Sequence, residues 1–268
     1  MVRIFICLPP GAIFRCMTYL GQPGSVGQGL TVGTGGRMAW SAPTSHPLDA
    51  NHIYAWSCNS VSGDGTTIAA DVGGTNLVGS NLVAEVSMFK YTPSVSTTAN
   101  AFKRLEATLP VTIGTTTSVT LEAMVQVARQ GLSTWGNYAN MISIGGNSDS
   151  QYFLYRGLSE TYILLANFRS GNPYGNIGLS YGTGGDQFST ERPHHVMVVW
   201  DMSASAVYHY LDGFLVGTTG GQGTRSNDYT YAVVGITQNG GSVANVRVSN
   251  VARSQDYARA ATRAMYRL

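Results

Sequence analysis

The feature that most constrains the fold is a pair of apolar runs near the C-terminus, joined by short polar turns. Residues 193–201 read Pro-His-His-Val-Met-Val-Val-Trp-Asp, and residues 207–217 read Val-Tyr-His-Tyr-Leu-Asp-Gly-Phe-Leu-Val-Gly. β-Branched and aromatic residues fill both runs, which favours strands over helices. Asp212 and Gly213 form a two-residue turn that tolerates positive φ, so the chain re-enters a third strand at Phe214. We therefore predict three consecutive antiparallel strands.

Further segments extend this pattern in order along the chain; they are residues 52–56, 62–77, 119–125, 142–154 and 244–253. Together they resemble laminin-G-like domains of the concanavalin A-like jelly-roll superfamily, in which a His-Val-x-Val-x-Trp-Asp strand precedes a Tyr-x-Asp-Gly-x-x-Val-Gly hairpin. The resemblance covers residues 51–266 and implies an all-β fold, a concanavalin A-like antiparallel β-sandwich. It also implies a protein that binds or builds surfaces rather than one that catalyses, although one fold hosts many functions.

The beginning of the chain has a different pattern, with Gly and Pro clustered at 9–11, 21–24, 27–29 and 33–36. These turn-forming residues are too closely spaced for a compact core. We predict a Gly/Pro-rich N-terminal arm over residues 1–48 and a jelly-roll domain over residues 49–268. Strand-like pieces at 13–20 and 30–32 can pair with the domain's own sheet or with a neighbouring chain.

Within the domain, we expect strands near 52–57, 82–91, 119–128, 140–145, 151–156, 161–168, 194–200, 206–211, 214–218, 230–236 and 243–249. A short helix is expected at the C-terminus, because Ser254 is a good N-cap residue. Asp256 in the first turn and Arg259 and Arg263 further on match the helix dipole.

Composition excludes two classes of partner. Only 11% of the 268 residues are charged and the formal net charge is +2, and no segment concentrates like charges as nucleic-acid-binding surfaces do. We expect no nucleic-acid partner. No apolar stretch approaches the ~18 residues of a membrane span, so we also expect no membrane insertion.

The three cysteines, Cys7, Cys16 and Cys58, show neither metal-site spacing nor an even disulfide framework. We interpret them as reduced thiols, with a Cys7–Cys16 bridge as the alternative. The apolar run over residues 4–8 ends at Pro9, short of the ~7–15 apolar residues of an export signal. These features predict synthesis in the cytoplasm of the cell that makes the protein.

No residue pattern indicates catalysis. Glucanases of the superfamily place catalytic carboxylates two residues apart on one strand, whereas three glutamates stand isolated here: Glu122, Glu160 and Glu191. We expect His194 and His195 to pack on a strand with one ring inward and one outward, and His209 to pack similarly. No serine lies in a Gly-x-Ser-x-Gly elbow. We predict no catalytic residues and no enzymatic activity.

Calcium is the one cofactor that the sequence leaves open. Residues 147–150, and residues 64–67 with Asp71, have the oxygen atoms that Ca²⁺ prefers. The same residue types are also ordinary turn formers. We expect no metal site and no cofactor, with Ca²⁺ as the alternative.

Glycan contacts would require exposed aromatic side chains. Trp135, Tyr138, Tyr174 and Tyr181 lie in glycine-rich connections, where they can form sugar-binding platforms or, equally, fill the core.

Two functional hypotheses follow. The first is a non-enzymatic virion structural protein of a tailed bacteriophage, such as a head decoration, fibre or other appendage module. It would contact copies of itself, other virion proteins and host surface polysaccharide. The second is a carbohydrate-binding module or adhesin at a cell surface. Self-association would cover sheet edges that a sandwich leaves open.

Overall fold

The computed structural model describes residues 2–6, 17–21, 29–32, 38–41, 48–57, 62, 66–79, 82–89, 92–97, 103–127, 142–145, 151–153, 156–159, 162–164, 178–180, 193–220, 224, 228–236 and 241–266. The chain divides into two units, Met1–Ser45 with Arg267–Leu268, and His46–Tyr266. Described strands are numbered in chain order, and every pairing among them is antiparallel.

The first unit contains two hairpins, formed by β1 (Val2–Ile6) with β2 (Met17–Gly21) and by β3 (Gly29–Val32) with β4 (Met38–Ser41). Strands β2 and β3 overlap the two strand-like pieces expected from sequence, whereas β1 and β4 were not expected. The described pairing is within each hairpin. Pairing of these pieces with the domain's own sheet or with a neighbouring chain stays a prediction.

The larger sheet of the second unit has eight strands: β5 (His52–Trp56), β8 (Leu82–Phe89), β9 (Thr92–Thr97), β11 (Val119–Val127), β17 (His194–Asp201), β18 (Ala206–Leu211), β19 (Phe214–Gly220) and β21 (Gly241–Ser249). Its order is β19-β18-β17-β11-β21-β9-β8, and β5 also pairs with β21. The predicted three-strand run is confirmed as β17, β18 and β19. Asp212 and Gly213 turn the chain with φ of 51° and 82°.

The second sheet has six strands: β6 (Thr67–Ile68), β7 (Leu77–Val78), β10 (Lys103–Ile113), β12 (Ile142–Gly145), β13 (Gln151–Phe153) and β20 (Tyr229–Ile236). Their order is β13-β12-β20-β10-β7-β6. A separate three-stranded sheet consists of β14 (Arg156–Ser159), β15 (Tyr162–Leu164) and β16 (Gly178–Ser180). The expected strand over 151–156 is therefore two strands in different sheets.

One hydrophobic core joins the two large sheets, because alternate side chains of their strands share it. The core includes Val196, Val198 and Trp200 from β17, and Leu105 and Leu109 from β10. Trp200 is fully buried. These sheets form the all-β, concanavalin A-like sandwich that the sequence predicted.

The outer face of the eight-stranded sheet is covered by the C-terminal helix α1 (Gln255–Tyr266). The Ser254 hydroxyl accepts a hydrogen bond from the backbone N–H of Tyr257 at 3.2 Å, which confirms the predicted N-cap. Ala258 and Ala261 of α1 pack against strand residues that include Met124 and Met197. No helix among the described residues is long and apolar enough to cross a membrane.

Strand β10 is the largest element that the sequence analysis missed. Its apolar residues alternate from Leu105 to Ile113, but Pro110 lies among them, and a proline within such a run argues against a strand. The structure places Pro110 where the register with β20 shifts, between Thr108 and Ile113. The proline therefore occupies a position that needs no ladder hydrogen bond.

Candidate functional site

An open groove of about 450 Å³ lies on the six-stranded sheet. Strands β7, β10 and β20 and the segment before β7 supply its lining, which includes Thr75, Asn76, Val78, Glu106, Thr108 and Tyr231. Register explains how three strands meet there, because Glu106 pairs with Val78 of β7 and Thr108 pairs with Tyr231 of β20.

The alternation of β10 separates the groove from the core. Leu105, Ala107 and Leu109 are buried, whereas Glu106 and Thr108 between them are exposed. Side chains two residues apart on a strand point to one face. Glu106 and Thr108 therefore present a carboxylate and a hydroxyl side by side.

Hydrogen bonds hold the segment before β7 against the sheet. The Thr75 hydroxyl donates to the carbonyl oxygen of Thr108 at 3.0 Å, and the indole Nε1 of the buried Trp56 donates to the carbonyl oxygen of Thr75 at 2.9 Å. The Asn76 Oδ1 atom accepts from the backbone N–H of Ala70 at 3.1 Å. This bond orients the Asn76 amide and leaves its NH₂ group available as a donor.

The groove combines apolar and polar surfaces. Val78 is 56% exposed and Tyr231 is partly exposed, whereas Glu106, Asn76 and Thr108 add an acceptor and several donors. Such a mixture suits a sugar ring, which has an apolar face and a rim of hydroxyl groups.

A second group of polar residues lies beneath α1, on the outer face of the eight-stranded sheet. Its centre is Glu122 of β11, which is 1% exposed. The Tyr257 hydroxyl donates to Glu122 Oε1 at 2.6 Å, and His195 Nε2 lies 3.2 Å from Oε2. Arg247 Nη1 and His52 Nε2 lie 3.7 Å and 3.6 Å from Oε1. We call these five residues the Glu122 cluster.

The charges in the Glu122 cluster follow from its contacts. Burial alone would raise the pKa of Glu122, but the hydrogen bond from His195, the nearby His52 and the charge of Arg247 hold that pKa well below its usual value. Burial and the neighbouring carboxylate raise the pKa of Tyr257. The carboxylate is therefore ionised and the phenol is a hydrogen-bond donor.

The contacts of the Glu122 cluster connect α1 with the sheet. His195 Nδ1 is 2.7 Å from the hydroxyl of Thr262 on α1. Beside it, Arg253 forms two 2.7 Å hydrogen bonds to Asp49 and stacks over the Tyr257 ring. Because Glu122 and His195 are buried under α1, a substrate could reach them only if the helix left the sheet.

The histidine expectations need one correction. His194 and His195 do face opposite sides of β17, but neither ring is directed to solvent, since both are fully buried. His194 Nδ1 lies 2.7 Å from Asp212 Oδ2 in the turn, and His195 joins the Glu122 cluster. The outward ring is buried because α1 covers that face of the sheet. His209 packs in the interior, as expected.

The four aromatic residues predicted to contact glycans lie outside the described residues; they are Trp135, Tyr138, Tyr174 and Tyr181. Their role stays a prediction. Of the residues considered for calcium, 147–150 and 64–65 are also outside the described part. Asp71 is described, and its carboxylate accepts hydrogen bonds from the Ser57 backbone and hydroxyl. Calcium binding also stays a prediction.

Sequence reasoning missed Glu106 and Tyr231 as site residues. A signal for Glu106 was present, since it alternates with Leu105 and Ala107, but Pro110 obscured the strand. Tyr231 lies in an expected strand, yet nothing local showed that it would meet Thr108. Residues more than 120 positions apart become neighbours only through the pairing of β10 with β20.

The two facing antiparallel sheets and the helix on one outer face define a jelly roll of the concanavalin A-like class. The model for a laminin G domain of the "Concanavalin A-like lectin/glucanases superfamily" matches residues 103–257, more than half of the chain. The chain therefore belongs to this superfamily. Among curated proteins, none matches the sequence significantly.

Solved structures show the same fold at low sequence identity. The botulinum neurotoxin serotype D binding domain is 10% identical, with a TM-score of 0.61, over 79% of this chain and 50% of that one. The binding domain of Paraclostridial Mosquitocidal Protein 1 is 9% identical, with a TM-score of 0.61, over 79% and 52%.

A third structure is the binding domain of Botulinum Neurotoxin DC in complex with SialylT. It is 11% identical, with a TM-score of 0.59, over 81% of this chain and 52% of that chain. This chain therefore spans about half the length of the three structures. At such identities the likeness shows the fold alone.

Proposed function

We propose that this chain is a lectin-like binding module that holds a glycan in the groove of the six-stranded sheet. The observation that carries the proposal is the juxtaposition of Tyr231 and Val78 with Glu106, Asn76 and Thr108 in one open groove. Binding sites for small polar ligands combine apolar walls with a few placed polar groups. Membership of a superfamily that includes lectins supports the same conclusion.

The chemistry of the groove favours binding over turnover. Among the described lining residues, Glu106 is the only carboxylate. Glycoside hydrolysis generally uses two carboxyl groups, one on each side of the scissile bond. Glu122, a buried carboxylate outside the groove, is covered by α1. We propose that the module binds glycans without cleaving them.

Substitution in the groove tests this function. Tyr231→Ala removes the aromatic wall, and Thr108→Arg places a long side chain at an exposed position without altering the core. Each should reduce binding of the full chain to a glycan array by at least about tenfold, as expected for loss of a principal contact. Unchanged binding by both folded variants would refute the proposal, as would release of reducing ends from a polysaccharide by the purified protein.

The aromatic residues Trp135, Tyr138, Tyr174 and Tyr181 are proposed as additional stacking residues. A variant with all four replaced by alanine should bind glycan more weakly than the wild type. Each single site is expected to bind weakly, and several copies in one assembly would raise apparent affinity by ~10²–10⁴.

We further propose that the module works in the virion of a tailed bacteriophage, as a decoration, fibre or appendage protein. The low charge, the odd number of cysteines and the glycine-rich first 48 residues support an assembled structural protein. Capsid, portal or tail genes beside the gene for this chain would support this setting. A setting among genes for surface attachment would favour an adhesin instead.

A further inference from the structure

We propose that the groove of the six-stranded sheet selects sugars that carry an N-acetyl group. The Asn76 amide donates a hydrogen bond to the acetamido carbonyl oxygen, and the Val78 side chain contacts the acetamido methyl group. The inference rests on the proposed glycan-binding function. It names the class of sugar that the groove accepts, which the fold alone does not specify.

Asn76 and Val78 lie next to each other on the groove side of the sheet. Both residues are exposed and line the groove, whereas Leu77 between them is fully buried. This alternation directs the side chains of Asn76 and Val78 to the same face, away from the core. Two residue spacings, roughly 7 Å, separate their backbones. One ligand group that has a polar and an apolar end can therefore contact both side chains.

The hydrogen bond between Ala70 and Asn76 determines which polar group the ligand meets. The backbone N–H of Ala70 donates to Asn76 Oδ1 at 3.1 Å, and a donor of this kind can pair only with the oxygen of the amide. The Asn76 NH₂ group is the other arm of the planar amide, so it is directed away from Ala70. It requires an acceptor. An acetamido carbonyl oxygen accepts hydrogen bonds and donates none, which matches this requirement.

Hydrogen bonds on both sides hold this part of the chain in place before a ligand binds. On one side, the Thr75 hydroxyl donates to the Thr108 carbonyl oxygen at 3.0 Å, and the Trp56 indole donates to the Thr75 carbonyl oxygen at 2.9 Å. On the other side, the backbone N–H of Gly79 donates to the Thr66 carbonyl oxygen at 2.8 Å. A preformed site loses less conformational entropy on binding, so the amide and the valine can discriminate between closely related sugars.

Val78 provides the apolar half of the acetamido contact. Its side chain is 56% exposed, and its backbone pairs with Glu106 and Thr67. The carbonyl oxygen and the methyl group of an acetamido substituent are attached to the same carbon atom, so both contacts form together. The hydrogen bond should contribute about fivefold to affinity, and partial burial of the methyl group roughly twofold. A sugar that has a hydroxyl group instead of the acetamido group lacks the methyl contact.

The test measures binding of the full chain to chitotriose and to cellotriose, which have the same linkage and differ only in an acetamido or a hydroxyl group on each ring. The wild type should bind chitotriose about ten times more tightly. Asn76→Asp keeps the acceptor for Ala70 and removes the donor, so the ratio of the two affinities should fall to about twofold or less. Val78→Thr keeps the shape but replaces a methyl group by a hydroxyl, and the ratio should fall to about fivefold.

Asn250→Asp is the matched control, because it makes the same chemical change at an exposed residue that follows β21 and does not line the groove. It should leave the ratio at the wild-type value. Both ligands are measured on the same sample, so partial unfolding of a variant does not alter the ratio.

Three results would overturn the inference: a wild type that binds cellotriose as tightly as chitotriose, a wild type that binds neither, or a ratio that Asn76→Asp leaves unchanged. None of them decides the proposed function, which fails only if Tyr231→Ala and Thr108→Arg leave binding to the glycan array unchanged or if the wild type binds no glycan on it.

Discussion

His209 shows how one buried residue can set the pH response of the whole fold. It lies on β18, where its neighbours across the strands are Val198 and Gly217, and it is fully buried. Among the residues that the structure describes, none forms a hydrogen bond with either ring nitrogen. Burial lowers the pKa of His209 to about 4, because the interior penalises the charged ring.

This burial predicts a loss of stability at mildly acidic pH. Between pH 6.5, the ordinary value, and about 4, the unfolded chain binds a proton at His209 that the folded chain does not. The free energy of unfolding should therefore fall as pH falls, by up to about 1.4 kcal/mol per pH unit from this residue.

Denaturant titrations of the wild type and His209→Leu at several pH values measure this effect. From pH 8 to pH 5, the free energy of unfolding of the wild type should fall by roughly 2 kcal/mol more than that of His209→Leu. Glu122, whose pKa is held below the ordinary 4.5, adds its own loss of stability at the acidic end of this range, but it does so in both proteins and therefore cancels in the comparison. Parallel stability curves for the two proteins would contradict the prediction.

At the scale of elements, the turn between β18 and β19 is fixed by the helix beside it. Gly213 has φ of +82°, and a Cβ atom at this position would lie 2.9 Å from the Cα of Arg259 on α1. Gly74 also has positive φ, +65°, but an added Cβ would meet nothing within 4 Å. A side chain at Gly74 would therefore meet only backbone strain, whereas a side chain at Gly213 would also collide with α1.

Substituting each glycine by alanine measures the two effects. Gly74→Ala should lower the free energy of unfolding by about 1 kcal/mol, the cost of positive φ for a residue with a Cβ. Gly213→Ala should cost about 3 kcal/mol, because the helix backbone must also shift. Hydrogen exchange should show faster opening of α1 in Gly213→Ala alone. Equal destabilisation of the two variants would mean that a side chain at residue 213 does not collide with α1.

At the scale of the whole molecule, residues of the second unit form the described core of the sandwich. The described core residues all lie between Tyr54 and Met265. Folding of the sandwich should therefore be independent of the first unit, whose proposed role is assembly.

Deleting residues 1–45 tests this division. The truncated protein should keep its β-sheet circular dichroism and a cooperative melting transition within a few degrees of the wild type, because no described core contact is removed. Light scattering should show that the full chain is oligomeric and the truncated chain monomeric. An unfolded truncated protein would show that these residues complete the sandwich.

The sequence by itself determined the strands, turns and helix ends that depend only on neighbouring residues. Runs of β-branched and aromatic residues specify β17 and β18, Asp212 and Gly213 specify the turn, and Ser254 specifies the start of α1. Each of these signals acts over a few residues. The order of such segments along the chain also sufficed to predict the family.

Other features depend on which strands pair, and only the tertiary structure decided them. The groove joins Glu106 with Tyr231, and the Glu122 cluster joins β11 with residues of α1 that follow more than 130 positions later. Local periodicity cannot specify such distant partners, because alternation assigns a residue to a face of its strand but does not show what covers that face. Hence the sequence placed one of His194 and His195 on the outer face, and only the tertiary structure showed that this residue is His195 and that α1 buries it.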